Sequence, residues 1–303
     1  MSDTLETLRG YVHFLREREG VRQIKLTRAA REGLAKVVES GRTSKSPEVG
    51  TRVPSRPMNP GTAETAVPTS TRVAATVTPP AASGAGPAPA TIAITGSTKI
   101  EQLAHLNERA QACQKCPHLV ARRHTVVFGV GDPDAKLMFV GEGPGEEEDL
   151  KGEPFVGRAG QLLTKMIQAM GLTREQVYIA NIVKCRPDMP PGVPGNRKPT
   201  REEMDTCVPY LRAQIDVIKP TALVALGATA VEGLIAATGS MGSLRGKFHD
   251  YRGVPVMPTY HPSYLLRNQS NTEKRKVWED LLKVMEKLEL PISEKQRGYF
   301  LVK

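Results

Sequence analysis

Short apolar runs alternate with amphipathic segments through the second half of the chain. Three runs have the length of buried strands: KLMFVG (136–141), VYIANIVKC (177–185) and ALVALG (222–227). A fourth, shorter strand is predicted within PVMPTYHP (255–262). Continuous apolar runs of this length are typical of strands that are buried on both faces of a sheet.

Helical spacing of apolar residues follows each predicted strand. Thr200, with Glu203 three residues later, has the pattern of a capping box at a helix start, and Gly171 marks a helix end. Strands that alternate with helices predict a three-layer α/β/α domain around a central four-stranded parallel sheet. The predicted helices cover residues 160–171, 200–220, 228–239 and 271–290.

The loops after three of the four strands carry the polar residues of interest. They are GEGPGEEED (141–149), KCRPD (184–188) and YHPSYLLR (260–267). Ligands of parallel α/β sheets bind at the carboxyl ends of the strands. We therefore expect these three loops to meet on one rim of the domain.

The first third of the chain has a different composition. Residues 1–40 are rich in Leu, Arg, Glu and Ala, and they predict a helical N-terminal extension of one or two short helices. Residues 41–97 are dominated by Pro, Ala, Thr, Ser and Gly, which predicts a disordered linker. The folded domain is predicted to cover residues 98–303.

The formal net charge of the 303-residue chain is +10, which favours polyanionic partners, and nucleic acid is the commonest of these. No apolar run reaches the length of a membrane span, so no membrane partner is expected. The start, MSDTLETLRG, lacks the apolar stretch of a secretory signal. We expect a cytoplasmic monomer that associates with the nucleoid when it is bound to DNA.

The Gly-rich loop 141–149 suits close approach of backbone amides to a ligand, and Gly143 is predicted to contact it. It lacks the GK[ST] ending of a Walker loop and the spacing of a dinucleotide fingerprint. Phe155, between Gly152 and Gly157, is well placed to stack on a flat base. The alternatives are an ordinary strand-to-helix turn and a small satellite core.

Asn181 falls in the carboxyl half of the second strand, where its carboxamide can pair with the edge of a base. His261, just past the fourth strand, can donate a hydrogen bond to an oxyanion. The loop after His261 combines polar, apolar and basic side chains, which suits insertion into a duplex. Structural roles for Asn181 and His261, and a plain helix start for the loop, are the alternatives. The predicted DNA-contacting residues are Ser263, Leu265, Leu266 and Arg267.

Four cysteines are present, two of them as Cys113-x-x-Cys116, with Cys185 at the end of the second strand and Cys207 in the helix that follows. Their spacing suits four thiolates on one iron–sulfur cluster, and tetrahedral zinc has the same ligand preference. Four unrelated buried cysteines are the remaining alternative.

Taken together, these motifs resemble the iron–sulfur uracil-DNA glycosylases of family 4. The resemblance covers about residues 99–290. It depends on several motifs in the right order: GEGPGEEED, GEPFVGRAGQLL, NIVKCRP, HPS, the C-x-x-C pair and the Cys of TCVPYL.

The resemblance implies an enzyme that flips uracil out of single- or double-stranded DNA and hydrolyses its glycosidic bond, which starts base excision repair. It implies that Glu142 helps to place the attacking water, that His261 acts at uracil O2 and that Asn181 reads the base edge. Phe155 would stack on uracil, and Glu148 would line the pocket near C5. A [4Fe–4S] cluster is implied on Cys113, Cys116, Cys185 and Cys207.

Two features depart from the minimal family pattern. The segment between Cys185 and Cys207 looks longer than usual, and residues 1–97 have no counterpart, so residues 1–40 are a candidate site for a repair or replication partner. The basic, His-containing loop of a DNA-trapping branch is absent after FVG, which favours a hydrolytic enzyme. The rival hypotheses are a zinc-containing DNA-binding scaffold and a phosphate-binding hydrolase that uses the Gly-rich loop.

Overall fold

A six-stranded sheet forms the centre of the part of the chain that the structure describes. In this computed structural model the described residues are 92–187, 189, 193 and 195–301. The strand order is β1-β3-β2-β4-β6-β5. The strands are β1 (Val130–Gly131), β2 (Leu137–Gly141), β3 (Tyr178–Asn181), β4 (Ala222–Leu226), β5 (His249–Tyr251) and β6 (Val254–Thr259).

The four inner strands, β3-β2-β4-β6, are parallel, which confirms the predicted central sheet. The two edge strands, β1 and β5, pair antiparallel with their neighbours and were not predicted. They have two and three residues, which is too short for a period-two pattern to show in the sequence. Short edge strands also limit the unpaired backbone that a sheet presents to other chains.

Helices cover both faces of the sheet, as the alternation of strands and helices predicted. Neighbouring residues of β2 point to opposite faces: Met138 and Val140 join one apolar core, and Leu137 and Phe139 join the other. The helices are α1 (Lys99–Gln111), α2 (Pro117–Val120), α3 (Glu146–Lys151), α4 (Arg158–Ala169), α5 (Arg201–Ile218), α6 (Ala228–Ile235), α7 (Met241–Leu244), α8 (Pro262–Arg267), α9 (Asn271–Lys287) and α10 (Glu294–Arg297).

The ends of these helices follow local sequence signals. The capping box predicted at Thr200 is present, because its hydroxyl accepts from the Glu203 amide and the Glu203 carboxylate accepts from the Thr200 amide. A second capping box starts α1 at Thr98, close to the predicted domain boundary.

None of the described helices is long and apolar enough to cross a membrane. The predicted extension (1–40) and all but the last six residues of the predicted linker lie outside the described residues.

A buried ion pair fixes the carboxyl end of β6. Asp280 on α9 is fully buried and accepts two hydrogen bonds of 2.9 Å from the Arg245 guanidinium. It also accepts one of 2.7 Å from the hydroxyl of Thr259, the last residue of β6. The Arg245 guanidinium lies 5.8 Å from the centre of the Tyr260 ring. This network therefore anchors the start of the loop that carries His261.

We expect Asp280→Ala to lower the free energy of unfolding by about 3–5 kcal/mol, since it leaves the Arg245 charge buried without its partner. Asp216→Ala is the matched control, because Asp216 pairs with Arg252 at the surface and such a pair contributes about 1 kcal/mol or less. Urea unfolding followed through Trp278, the one tryptophan of the chain, measures both. Equal losses in the two variants would contradict this role of the buried pair.

Candidate active site

A cavity of about 580 Å³ opens at the carboxyl ends of the four parallel strands. This volume suits a small organic ligand. The three loops that were predicted to share a rim do line it, through residues such as Glu142, Pro187 and His261. The turn at Gly227 after β4 and the first two residues of α6, Ala228 and Thr229, also line the cavity and were not predicted.

Asn181 places a carboxamide in the wall of this cavity. It is the last residue of β3 and is buried, with 2% of its surface exposed. Its Oδ1 atom is buried and has no hydrogen-bond partner in the described part of the chain. Because a buried acceptor is normally satisfied, an unpartnered one in a cavity wall indicates that a ligand N–H completes it.

Gly141 makes room for this carboxamide. It ends β2 and is paired in parallel register with Asn181. A Cβ atom at position 141 would lie 2.4 Å from Asn181 Oδ1 and 2.5 Å from Cζ of Phe155. The aromatic ring and the amide therefore meet over a residue that has no side chain.

Phe155 is held in an unusual backbone conformation. Its φ angle is +55°, in the left-handed region that non-glycine residues rarely adopt. Arg174 donates to the carbonyl oxygens of Phe155 and Pro154, at 3.2 and 2.8 Å, and Gly160 lets α4 approach the Phe155 carbonyl. Such strain is typical of functional sites, where neighbouring contacts maintain it. The Arg174 contacts were not predicted.

His261 faces the Phe155 ring, with ring centroids 5.6 Å apart. Its Nδ1 atom accepts from the backbone amide of Ser263 at 3.1 Å and lies 2.8 Å from the Ser263 hydroxyl. Burial, aided by Arg267, lowers the pKa of His261 to about 4, while Glu148 opposes the shift. The imidazole is therefore neutral near pH 7, and with Nδ1 as acceptor it carries its proton on Nε2.

Glu142 brings a carboxylate to the same cavity. Burial raises its pKa, and a hydrogen bond from Thr229 and the charge of Lys198 oppose that rise. The Thr229 hydroxyl lies 2.5 Å from Glu142 Oε2. A partly buried carboxylate with one oxygen held can orient a water molecule or stabilise a nearby positive charge.

Glu148 links the Gly-rich loop by hydrogen bonds to residues 154–157, which we call the Phe155 segment. One carboxylate oxygen accepts from the Gly145 amide at 3.0 Å, and the other accepts from the Val156 and Gly157 amides at 2.9 and 2.8 Å. These bonds make Glu148 a fixed part of the cavity wall. Gly143, predicted to contact a ligand, lines the cavity and packs closely against Val183.

A buried polar cluster behind Asn181 was also not predicted. Lys184 is buried, and its ammonium group donates to the Asn181 carbonyl at 3.0 Å and to Oε1 of Gln214 at 2.6 Å. Burial lowers the pKa of Lys184 to about 7. The Gln214 amide in turn donates to the Tyr178 hydroxyl. These bonds fix the backbone at the end of β3, and so the position of the Asn181 side chain.

The predicted DNA-contacting residues divide into two groups. Ser263 and Arg267 line the cavity, and Arg267 is exposed at its rim. Leu265 is buried in the apolar core, with 5% of its surface exposed, because α8 packs against α4. Leu265 therefore offers little surface to a ligand, and its contact with DNA stays a prediction, whereas Leu266 is partly exposed.

The four cysteines lie in neighbouring parts of the fold. Cys113 follows α1, Cys116 precedes α2, Cys185 follows β3 and Cys207 lies in α5. Burial, followed by the nearby thiols of Cys185 and Cys113, raises the pKa of Cys116. Burial raises the pKa of Cys207 to about 12, with smaller contributions from Cys185 and Cys116. The thiols are thus close enough to interact electrostatically.

The donor chemistry of this cysteine group fits a sulfur-liganded metal centre. Arg123 donates to Cys185 Sγ at 3.0 Å, and the Lys184 backbone amide donates to Cys207 Sγ at 3.2 Å. Hydrogen bonds to sulfur of this kind accompany cysteine-bound clusters. Among the described residues, no group of three or more His, Cys, Asp or Glu side chains is arranged so that it could hold a metal ion.

Comparison with known proteins identifies close relatives. Residues 128–282 match the family model of the uracil DNA glycosylase superfamily. A type-4 uracil-DNA glycosylase of Thermotoga maritima is 49% identical over 188 residues, which cover 61% of this chain and 94% of that protein. The type-4 enzyme of Sulfurisphaera tokodaii is 40% identical over 67% of this chain and 91% of its own length. A type-5 uracil-DNA glycosylase of Pyrobaculum aerophilum is 32% identical over 50% of this chain and 79% of its own length.

The protonation of His261 provides a test of the site geometry. We expect NMR titration of the imidazole to give a pKa of about 4. Arg267→Gln is expected to raise this pKa, because it removes a positive charge that disfavours the imidazolium ion. Arg275→Gln, on α9 and paired with Glu279, is the control and is expected to leave it unchanged. A ring that titrates near the ordinary value of about 6.5 in the unmodified protein would contradict the buried geometry.

Proposed function

The chain belongs to the uracil DNA glycosylase superfamily, within it to the type-4 enzymes, and from this premise we propose that it removes uracil from DNA by hydrolysing the N-glycosidic bond. It is an enzyme of DNA repair, and its product is an abasic site. The observation that carries the assignment to this cavity is the unpartnered Oδ1 atom of Asn181, buried beside the Phe155 ring.

The cavity suits a uracil base that has been rotated out of the DNA stack. The Phe155 ring offers a stacking surface. Oδ1 of Asn181 would accept the N3–H of uracil, and its amide group would donate to O4. The exposed Arg267 at the rim suits contact with a phosphate, and the affinity for DNA is therefore expected to fall with salt.

The same residues account for bond cleavage. As the bond between C1′ and N1 breaks, the sugar gains positive charge and the base leaves as an anion with charge on O2. The neutral His261 imidazole would donate its Nε2–H to O2, a contribution of a few kcal/mol for a single donor of this kind. Glu142 would hold the water that adds to C1′, and its negative charge would favour the cationic sugar. The added water loses one proton and the released uracil anion gains one, so the products are neutral uracil and an abasic sugar.

Selection against other bases follows from the same contacts. Cytosine has an amino group where uracil has O4, so the Asn181 amide would meet a donor rather than an acceptor. Thymine carries a methyl group on C5. Glu148 is our candidate for the wall that excludes this methyl group, because three backbone amides hold its carboxylate in place.

The sequence that follows Phe155 is our reason for proposing hydrolysis rather than covalent attachment of the protein to the sugar. Arg158 begins α4 directly after Gly157, so the Phe155 segment carries no inserted basic loop. Glu142 is the nucleophile-orienting group in this scheme, and water is the nucleophile. The expected products are free uracil and an abasic site without a protein adduct.

The four cysteines are proposed to bind a [4Fe–4S] cluster, with zinc as the alternative occupant. The cluster would join α1, α2, the end of β3 and α5 through Cys113, Cys116, Cys185 and Cys207, and would supply structural cross-linking there rather than base removal. The N–H donors of Arg123 and Lys184 to two of the sulfurs support this proposal. None of the four cysteines, all of which lie among the described residues, forms a disulfide. Cysteines without disulfides are typical of a reducing compartment, which supports the proposed cytoplasmic location. The monomeric state and a repair or replication partner for residues 1–40 remain predictions.

A base-release assay tests the proposed function. Purified protein is expected to release free uracil from single-stranded and double-stranded DNA without added metal or nucleotide, and to leave alkali-labile abasic sites. DNA with thymine or cytosine at the same position is the control and should stay intact. A product covalently attached to the protein, with no free uracil, would contradict hydrolysis.

Asn181→Ala is expected to lower the single-turnover rate of uracil release at least about 100-fold. A site whose buried polar group reads a base loses its discrimination when that group is removed. Asn107→Ala on α1 is the matched control, because Asn107 lies outside the cavity and bonds Gln111. Thermal unfolding is recorded for both variants. A fall in activity that merely follows a fall in stability would support a structural role for Asn181.

The iron and sulfide content of the purified protein tests the proposed metal centre. Protein purified without oxygen is expected to be brown and to contain iron and acid-labile sulfide in equal amounts. Cys207→Ser is expected to lose both, because it removes one of four thiolate ligands. Zinc in place of iron would overturn the cluster assignment, and full metal content in Cys207→Ser would remove Cys207 from the ligand set.

A further inference from the structure

We propose that Thr229 is a positioning residue for the hydrolytic reaction, and that its hydroxyl fixes the orientation of the Glu142 carboxylate towards the attacking water. This inference rests on the proposed function of the cavity. The Thr229 hydroxyl donates to Glu142 Oε2 at 2.5 Å, and Thr229 is buried, with 5% of its surface exposed. Both residues line the cavity that contains Asn181 and His261.

The fold brings Thr229 to this position through the turn after β4. Strands β2 and β4 are adjacent and parallel, so the residues that follow them emerge side by side. Gly227 makes the turn at a φ of +92°, and its amide donates to the carbonyl of Thr259 on β6 at 2.9 Å. Thr229 is the second residue of α6, and its hydroxyl points back to the end of β2.

The hydrogen bond from Thr229 gives the two carboxylate oxygens of Glu142 different roles. Oε2 is held by Thr229, and Oε1 is left as the acceptor for water. A carboxylate that is free to rotate would present either oxygen in many orientations. A fixed carboxylate places the water in line with C1′, and misplacement of a reacting group by about 1 Å can cost about 100-fold in rate.

The same bond favours the ionised form of Glu142. Burial raises the pKa of this carboxyl group, and the Thr229 hydrogen bond is the larger of the two effects that lower it, ahead of Lys198. Other charged or titratable groups also line the cavity: Glu148, Arg197, His261 and Arg267. Loss of the hydroxyl leaves these groups in place, so the pKa of Glu142 is expected to rise and the acidic limb of the pH–rate profile is expected to move to higher pH.

The experiment compares Thr229→Val and Thr229→Ser in single-turnover uracil release across pH. Valine keeps the shape and removes the hydroxyl, whereas serine keeps the hydroxyl. We expect Thr229→Val to lose up to about 100-fold in rate and to show an acidic limb displaced to higher pH. Thr229→Ser should keep most of the rate and the original limb, and both variants should bind uracil-containing DNA as the unmodified protein does.

Two controls separate positioning from folding. Thr221→Val makes the same change at the opposite end of β4, and it should alter neither the rate nor the pH profile. In a Glu142→Gln background, Thr229→Val should cause little further loss, because the carboxylate that Thr229 orients is already absent. Thr229→Ala serves in place of the valine variant if the latter does not fold.

The outcomes distinguish this inference from the proposed function. If the unmodified protein releases no uracil, the proposed function fails. If it releases uracil and Thr229→Val has the same rate and pH profile, only the role of Thr229 is overturned. Equal losses in the serine and valine variants, or full additivity with Glu142→Gln, would likewise overturn positioning and leave Thr229 as a packing residue.

Discussion

The site depends on the pairing of Gly141 with Asn181 at the ends of two parallel strands. Because Gly141 has no side chain, the Asn181 carboxamide and the Phe155 ring both reach the space above it, where a Cβ atom would lie within about 2.5 Å of each. One wall of the cavity then offers a hydrogen-bond acceptor that no described residue partners, next to an aromatic surface. The register of β2 and β3 fixes this arrangement, and apolar cores on both faces of the sheet fix the register.

Buried polar groups around the cavity keep its reacting side chains in place. Lys184 and Gln214 hold the backbone at Asn181, Glu148 joins the Gly-rich loop to the Phe155 segment, and Asp280 anchors the start of the His261 loop. Each of these groups costs free energy to bury, and each offsets that cost with several hydrogen bonds. Pre-organised donors and acceptors are what stabilise a developing base anion and a sugar cation.

The sequence predicted the inner strands and several residues of the cavity, but it did not predict the long-range contacts that hold those residues in place. The inner strands were visible because each is a continuous apolar run, and β1 and β5 were not, because two or three residues carry no period. Asn181 and His261 were predicted from their places at or just past the ends of strands, and Phe155 was predicted from the glycines that flank it. Thr229, Arg174 and Lys184 were missed because their importance arises from partners 87, 19 and 30 positions away in the chain. Leu265 was predicted at the DNA surface because apolar residues of a short helix give no sign of which face is buried.

The most direct test of the account is competition between free bases for the cavity. Its central claim is that Asn181 Oδ1 receives the N3–H of uracil. We predict that free uracil inhibits the release of uracil from DNA, and that 3-methyluracil, which lacks this hydrogen, does so far more weakly. Equal inhibition by uracil and 3-methyluracil would contradict the account, because the unpartnered oxygen would then have no part in recognising the base.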